Sequence, residues 1–221
     1  MILGIVTAVL FLLECCFGLW KKIAKGKLSP KTLSKLHRTI GILTLAGASL
    51  HLVLSHTLGN QRPSLMYLSG ILAMLCIALA ICLGFRGISK KRLKLHKTLA
   101  LLAFICLCVH VSSGISSLMK YQKTVRNIEI SDVYMQNIPD GVYQGECDVQ
   151  YIYARVQVTV RDGKMTEIEL LEHRNEQGAA AEKITDDILE KQSLDVDAIT
   201  SATNSSNVIK KAIENALENA G

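Results

Sequence analysis

The sequence predicts a membrane all-α four-helix bundle followed by a small α+β extracytosolic domain. The charge distribution and the hydrophobic pattern lead to this fold class. Residues 1–119 contain 14 Lys and Arg but one acidic residue, whereas residues 120–221 contain 11 Lys and Arg and 18 Asp and Glu. We therefore expect two domains of different character, at 1–119 and 140–221, joined by a polar linker at 120–139.

Four apolar runs in the first part are long enough to cross a bilayer. They occupy residues 1–20, 39–61, 63–85 and 98–119, and Glu14 is their one charged residue. A hydrocarbon core of about 30 Å needs roughly 20 helical residues. The first run can also be read as a signal peptide. Because it has no basic n-region and a poor cleavage site, we expect a retained helix.

The connecting loops predict the orientation. Seven Lys and Arg lie at 20–38 and six at 86–97, whereas the second loop contains only Arg62. Basic short loops stay in the cytoplasm. We therefore expect a multi-pass protein of the cell (plasma) membrane with both termini and the acidic domain extracytosolic, and we expect no nucleic-acid partner.

A histidine repeat lies within the second and fourth apolar runs and just before them. Leu-His-basic-Thr opens both segments, and a second histidine follows the first after fourteen residues, which gives the pairs His37/His51 and His96/His110. Fourteen residues are close to four helical turns, so each pair shares a helix face. In an up-down bundle these two helices face each other, with His37 level with His96 and His51 level with His110. Two opposed imidazoles at each level predict axial ligands to the iron of two b-type haems.

Three alternatives accompany this interpretation. The histidines can instead bond to each other or to backbone, although intramembrane ionisable groups are usually functional. His56 competes as a ligand or as a contact to a haem propionate. Glu14 can be a proton relay or a quinone-site residue, but a residue near the cytoplasmic end of the first helix that reaches Lys21 or the headgroups is favoured.

With this spacing, residues 1–119 resemble the four-helix, two-haem cytochromes of the ferric-reductase and b-type cytochrome superfamilies. The resemblance implies a membrane cytochrome whose haem irons are held by the four repeat histidines. The chain contains no C-x-x-C-H motif for covalent haem and no G-x-G-x-x-G nucleotide motif. The electron donor is therefore expected to be quinol or another protein on the cytoplasmic side.

The second part predicts strands and helices in alternation. YIYARVQVTV alternates as a half-buried strand, an Asp-Gly turn follows at 161–164, and MTEIELLEH forms the next strand. Residues 179–192 predict an amphipathic helix, and residues 207–220 predict the last helix. The stretch DAITSATNSS between these helices, at 197–206, can be a plain N-cap loop or an attachment site.

The order of motifs in 140–217 resembles one family. D-G-x-Y-x-G, strand-DGK-strand, H-x-N-x-x-G and D-A-x-T-S-A-T-x-S-S occur in sequence, as in the FMN-binding domain of the Rnf and Nqr respiratory complexes and of extracytosolic flavoproteins. The resemblance implies that a flavin transferase joins FMN to Thr203 by a phosphoester bond. It also implies that the flavin site contains the following matching positions: Asp197, Thr200, Ser201 (where the family has Gly), Ala202, Ser205, His173, Asn175 and Gly178.

Together the two parts predict a transmembrane electron-transfer flavocytochrome. It would pass electrons through two b-type haems to, or from, a covalently bound extracytosolic FMN and an extracytosolic partner. One alternative is a terminal reductase of a small acceptor such as a ferric chelate. Another is a non-catalytic redox sensor or assembly subunit. The sequence does not decide between an oxidoreductase and an electron carrier.

Overall fold

The computed structural model describes residues 2–23, 26–57, 62–85, 89–175 and 178–220. Contacts divide the chain into two compact units, Met1–Ser117 and Leu118–Gly221. The predicted helical N-terminal region and the small α+β C-terminal domain are both confirmed.

The N-terminal region consists of helices. They are α1 (Ile2–Cys15), α2 (Phe17–Ile23), α3 (Pro30–Thr57), α4 (Ser64–Phe85) and α5 (Lys90–Arg126), whose last turns belong to the second unit. Among the described residues, α3, α4 and α5 are long and apolar enough to cross a membrane, and α1 with α2 makes a fourth candidate if the pair counts as one span.

The first apolar run, for which the sequence predicts one retained helix, forms two helices. α1 and α2 are bent by 59° at the break between them. The chain turns at Cys16, whose carbonyl oxygen then accepts hydrogen bonds from the amides of Leu19 and Trp20. The bend brings Phe17 onto the His37 ring, with 4.2 Å between the ring centroids.

Large apolar side chains cover the outside of these helices. Leu50, Leu68 and Leu101 are 51%, 66% and 59% exposed. Exposed apolar surface of this extent is unusual on a protein surrounded by water and is typical of a surface that faces lipid or a partner.

The C-terminal unit contains an antiparallel sheet in the order β1-β2-β3. Its strands are β1 (Gly141–Asp148), β2 (Tyr153–Arg161) and β3 (Lys164–Arg174). The predicted Asp-Gly hairpin joins β2 to β3, and Asp162 and Gly163 both have positive φ, at 51° and 67°. Those angles fit the mirror-image turns that suit the twist of a hairpin.

Two helices complete this unit, and both differ in extent from the prediction. Residues Ala179–Lys183 form a 3₁₀ helix, and α6 covers only Ile184–Lys191. α7 covers Thr203–Glu218, so it begins four residues earlier than predicted. Ser, Thr and Asn have low helix propensity, and for this reason the sequence alone placed the start too late.

One face of the sheet and one face of α7 form the core. β2 contributes Ala154, Val156, Val158 and Val160, all fully buried, and its alternate residues point away from the core. The buried residues of α7 that face them are Val208, Ile209, Ala212, Ile213, Ala216 and Leu217.

α7 approaches the sheet most closely at Gly145 of β1. A Cβ atom built there would lie 2.3 Å from the Ala212 oxygen and 2.3 Å from the Ala216 nitrogen. Both atoms are backbone and cannot rotate away, so the helix and the strand pack in direct contact only because this residue has no side chain.

The segment before β1 is tied to the rest of the unit by two carboxylates. Asp132 accepts hydrogen bonds from the Leu194 amide at 3.0 Å and the Ser193 hydroxyl at 2.8 Å. Burial raises the pKa of Asp132, but these hydrogen bonds and that from the Val133 amide outweigh it and hold the pKa below its ordinary value. Glu214, which is 2% exposed, accepts from the Ser131 amide at 3.0 Å.

We expect Gly145→Ala to lower the free energy of unfolding of the C-terminal unit by about 2–3 kcal/mol, because the added methyl group overpacks a backbone contact. Hydrogen exchange of the α7 and β2 amides in the full-length protein measures this loss. Val142→Ala, three residues earlier and 58% exposed, is the control and should change protection little. Equal protection in Gly145→Ala and wild type would contradict the close approach.

Candidate functional site

A cavity of about 380 Å³ opens at the N-terminus of α7. Its volume lies at the lower end of the range of roughly 300–1,000 Å³ that small-molecule sites occupy. The residues that line it are Tyr121, Tyr151, Ile152, Gly178, Ser201, Ala202, Thr203, Asn204 and Ser205. The cavity therefore contains five consecutive residues of the DAITSATNSS stretch.

A tight turn brings this stretch into the cavity. The Ala202 amide donates a hydrogen bond to the Ile199 carbonyl oxygen at 2.9 Å, which closes a four-residue β-turn. Ser201, its third residue, has a φ of 67°, whereas Thr200 does not have a positive φ. This is the pattern of a type II turn, which favours glycine at the third position. The turn explains physically why Gly is usual at the position that Ser201 occupies here.

Thr203 is the first residue of α7 and is exposed. The first amides of a helix have no intrahelical acceptor. Ala202 is the N-cap and makes no side-chain cap bond, and the first turn of α7 contains no acidic residue. The Thr203 hydroxyl group therefore lies at an uncapped, electropositive helix end, which is suited to an anion such as a phosphate.

The two serines that follow Thr203 are buried and stabilise the loop. The Ser206 hydroxyl accepts a hydrogen bond from the Ile199 amide at 3.0 Å and so connects α7 to the turn. Ser205 packs against Gly178, where an added Cβ atom would lie 2.0 Å from the Ser205 Oγ.

The predicted H-x-N-x-x-G residues occupy different positions around the site. Gly178 lines the cavity. The Asn175 Oδ1 accepts a hydrogen bond from the Gly178 amide at 2.9 Å. His173 has a side chain that is 2% exposed, and its Nδ1 lies 2.9 Å from the Glu182 Oε1. Asn175 thus holds Gly178 at the cavity, and His173 contacts the 3₁₀ helix that follows Gly178.

Most of the predicted flavin-site residues lie together at one cavity. Ser201, Ala202, Thr203, Ser205 and Gly178 line one cavity. Asp197 and Thr200 are exposed in the loop before them. Their side chains remain predicted site residues.

Two tyrosines of the cavity were missed by the sequence reasoning. The rings of Tyr121 and Tyr151 meet edge to face, with 5.0 Å between centroids. The Asn204 side-chain amide donates a hydrogen bond to the Tyr121 hydroxyl at 3.2 Å. Their distance in sequence from Thr203 gave no local signal, and only their aromatic character in polar surroundings could have drawn attention to them.

The four repeat histidines form two pairs between α3 and α5 in the N-terminal unit. The ring centroids of His37 and His96 lie 6.0 Å apart, and those of His51 and His110 lie 6.3 Å apart. The side chain of His56, the competing candidate, lies outside the described residues. Among the residues that are described, no group of three or more His, Cys, Asp or Glu could hold a metal ion.

Backbone carbonyl groups orient two of these rings. The His96 Nδ1 lies 3.0 Å from the Ala80 oxygen, and the His110 Nδ1 lies 2.8 Å from the Met66 oxygen. When Nδ1–H donates to a carbonyl group, Nε2 is left as the nitrogen that can bind a metal.

His37 has a different partner. Its Nδ1 contacts the Glu14 Oε2, and the Glu14 side chain is 12% exposed. A cavity of about 100 Å³ lies beside this contact and is lined by His37, His96 and Glu14, among other residues. The contact was not among the interpretations of Glu14 that the sequence offered.

Comparison with known families identifies the C-terminal segment. A family model described as an FMN-binding domain matches residues 152–218. No curated protein and no solved structure matches the chain. The matched segment runs from the start of β2 to the end of α7 and includes the whole DAITSATNSS stretch. The predicted resemblance to an FMN-binding domain is therefore confirmed for this segment, and it indicates flavin-linked electron transfer.

We expect Ser201→Gly to stabilise the C-terminal unit by about 0.5–1 kcal/mol, because glycine adopts a positive φ without steric cost. The gain should appear as slower hydrogen exchange at the start of α7. Thr200→Gly is the matched control in the same turn, and it should give no gain because φ is not positive there. Stabilisation by both changes, or by neither, would contradict the assignment of the turn.

Proposed function

We propose that this protein is a transmembrane electron-transfer flavocytochrome with two b-type haems in the N-terminal unit and FMN joined covalently to Thr203. One observation carries the proposal. An exposed threonine lies at the uncapped N-terminus of a buried helix, inside a cavity, within a segment that matches an FMN-binding domain.

The surroundings of Thr203 suit a phosphoester bond. Its hydroxyl group can be reached by a flavin transferase because the residue is exposed and its neighbours in the turn are small. Once attached, the phosphate would lie at the first amides of α7, where the helix dipole favours a negative charge. The cavity of about 380 Å³ beside the attachment point can hold part of the flavin.

Tyr121 and Tyr151 supply an aromatic wall for the flavin ring. Aromatic rings pack favourably against a planar conjugated ring, in stacked or edge-to-face arrangements. Both tyrosines line the cavity, although they lie outside the segment that matches the family model.

The histidine pairs suit two haems because imidazole nitrogens are common ligands of haem iron. Each level provides two imidazole rings, and contacts at Nδ1 on His37, His96 and His110 leave Nε2 of those rings for iron. These four histidines would hold the haems, and each haem would supply a one-electron carrier. Arg38, which follows His37, is available to pair with a haem propionate.

The membrane arrangement completes the proposal. The basic residues around α2 and at the starts of α3 and α5 support a cytoplasmic position for these ends. The His51/His110 pair and the FMN domain then lie toward the extracytosolic side. The proposed partners are quinol or a cytoplasmic-side donor, an extracytosolic acceptor, and a flavin transferase for maturation.

The attachment is tested by Thr203→Ala and Thr203→Ser in protein co-expressed with a flavin transferase. We expect Ala to abolish flavin fluorescence on a denaturing gel, because no hydroxyl group remains to carry the phosphate. Ser should retain fluorescence. The b-type haem bands should be unchanged in both variants, since the histidines lie in the other unit.

Thr200→Ala is the control for this experiment, because it removes a neighbouring hydroxyl group in the same turn and should leave the fluorescence intact. Flavin that persists on Thr203→Ala after denaturation would rule out the proposed bond.

The aromatic wall is tested by the flavin fluorescence lifetime in native protein. Because tyrosine in van der Waals contact quenches an excited flavin by donating an electron, Tyr121→Leu and Tyr151→Leu should each lengthen the lifetime. Tyr134→Leu is the control, since Tyr134 belongs to the same unit and is 84% exposed. Lifetimes unaffected by both cavity substitutions would place the flavin ring elsewhere.

A further inference from the structure

Glu14 lies, nearly buried, beside one of the four repeat histidines. It is the one acidic residue in the first 119 positions, and its side chain is 12% exposed. Its Oε2 contacts the His37 Nδ1, while Phe17 stacks on the same ring at an interplanar angle of 22°. These two residues lie on either side of the break between α1 and α2, so the bend places both against His37.

The other three repeat histidines have partners other than a carboxylate. The His96 Nδ1 and the His110 Nδ1 face backbone carbonyl groups of Ala80 and Met66. The His51 ring packs against Gly4, where an added Cβ atom would lie 3.0 Å from the His51 Cε1. The two histidine levels therefore differ in the charges beside them: the Glu14 carboxylate lies at the His37/His96 level, whereas the charge of Arg62 acts on His51.

We propose that Glu14 is a positioning residue, which presents the His37 Nε2 to iron and lowers the reduction potential at the His37/His96 level below that at the His51/His110 level. This inference rests on the proposed function. A carboxylate at Nδ1 raises the basicity of an imidazole ligand and so stabilises the oxidised, more positive iron.

Arg38 is the opposing charge at this level. It lines the same cavity, and its guanidinium lies 5.8 Å from the centroid of the Phe85 ring. Arg38 is exposed, so water and salt screen its charge. Glu14 is nearly buried and touches the ligand itself, and for this reason its effect outweighs that of Arg38.

This asymmetry sets a direction for electron flow. Electrons move spontaneously from a carrier of lower potential to one of higher potential. In the proposed topology the His37/His96 level is cytoplasmic, so Glu14 favours transfer toward the extracytosolic side. The same carboxylate thus orients a ligand and makes the first carrier the stronger reductant.

The test is a redox titration of the haem bands in full-length protein with Glu14→Gln and Glu14→Ala. Gln removes the charge but keeps an oxygen that can accept from Nδ1–H. For Gln we expect near-normal haem content. The reduction potential of the lower-potential haem should rise by about 59 mV, which corresponds to a roughly tenfold change in the ratio of oxidised to reduced haem for one electron. Ala should also weaken haem binding by about 10–100-fold, because the ring loses its orienting partner.

Variants that retain only one histidine level show at which level Glu14→Gln changes the reduction potential. In His51→Ala, which keeps only the His37/His96 level, Glu14→Gln should shift the potential. In His96→Ala, which keeps only the other level, it should not. Should either single-level variant fail to fold, titration of Glu14→Gln alone still decides the matter, because only one of two components should move.

The outcomes separate this inference from the function on which it rests. Absence of b-type bands in wild-type protein would overturn both. Two bands whose potentials are unchanged by Glu14→Gln, or both of which move equally, would overturn the role of Glu14 and leave the flavocytochrome proposal standing.

Discussion

The direct backbone contact between α7 and β1 at Gly145 is the constraint on which the candidate flavin site depends. It sets how close the helix lies to the sheet, and the apolar face of α7 then fills the core along its whole length. With the helix fixed in this way, its first residue, Thr203, has a defined position at the cavity. The turn before it and the contact between Ser205 and Gly178 complete the rim.

The N-terminal unit depends on a different constraint, the cost of placing ionisable side chains among apolar helices. Five histidines and one glutamate occur there, and the contacts described above give the four repeat histidines specific settings: a carbonyl group for His96 and His110, the Gly4 backbone for His51, and Glu14 for His37. Such specific settings are expected when the rings must present one nitrogen to a metal.

The features that the sequence predicted well are those encoded locally or by a strict period. The Asp162–Gly163 hairpin follows from two residues. The shared spacing of fourteen residues places the histidines of α3 and α5 at two matching levels. The bend between the first two helices was missed because the apolar pattern continues through it. Tyr121 and Tyr151 were missed because the cavity brings together segments that are distant in sequence from Thr203. Local sequence patterns do not predict contacts between such segments.

Quantifying the cofactors of the purified, detergent-solubilised protein tests whether the chain is a flavocytochrome with two haems. The protein would be produced with a flavin transferase, its haem measured from the reduced-minus-oxidised spectrum, and its flavin measured from the mass of the intact denatured chain. We expect two b-type haems and one FMN per chain. A chain that carries FMN but no haem would contradict it, because the protein would then be a membrane-anchored flavoprotein whose histidine repeat is structural.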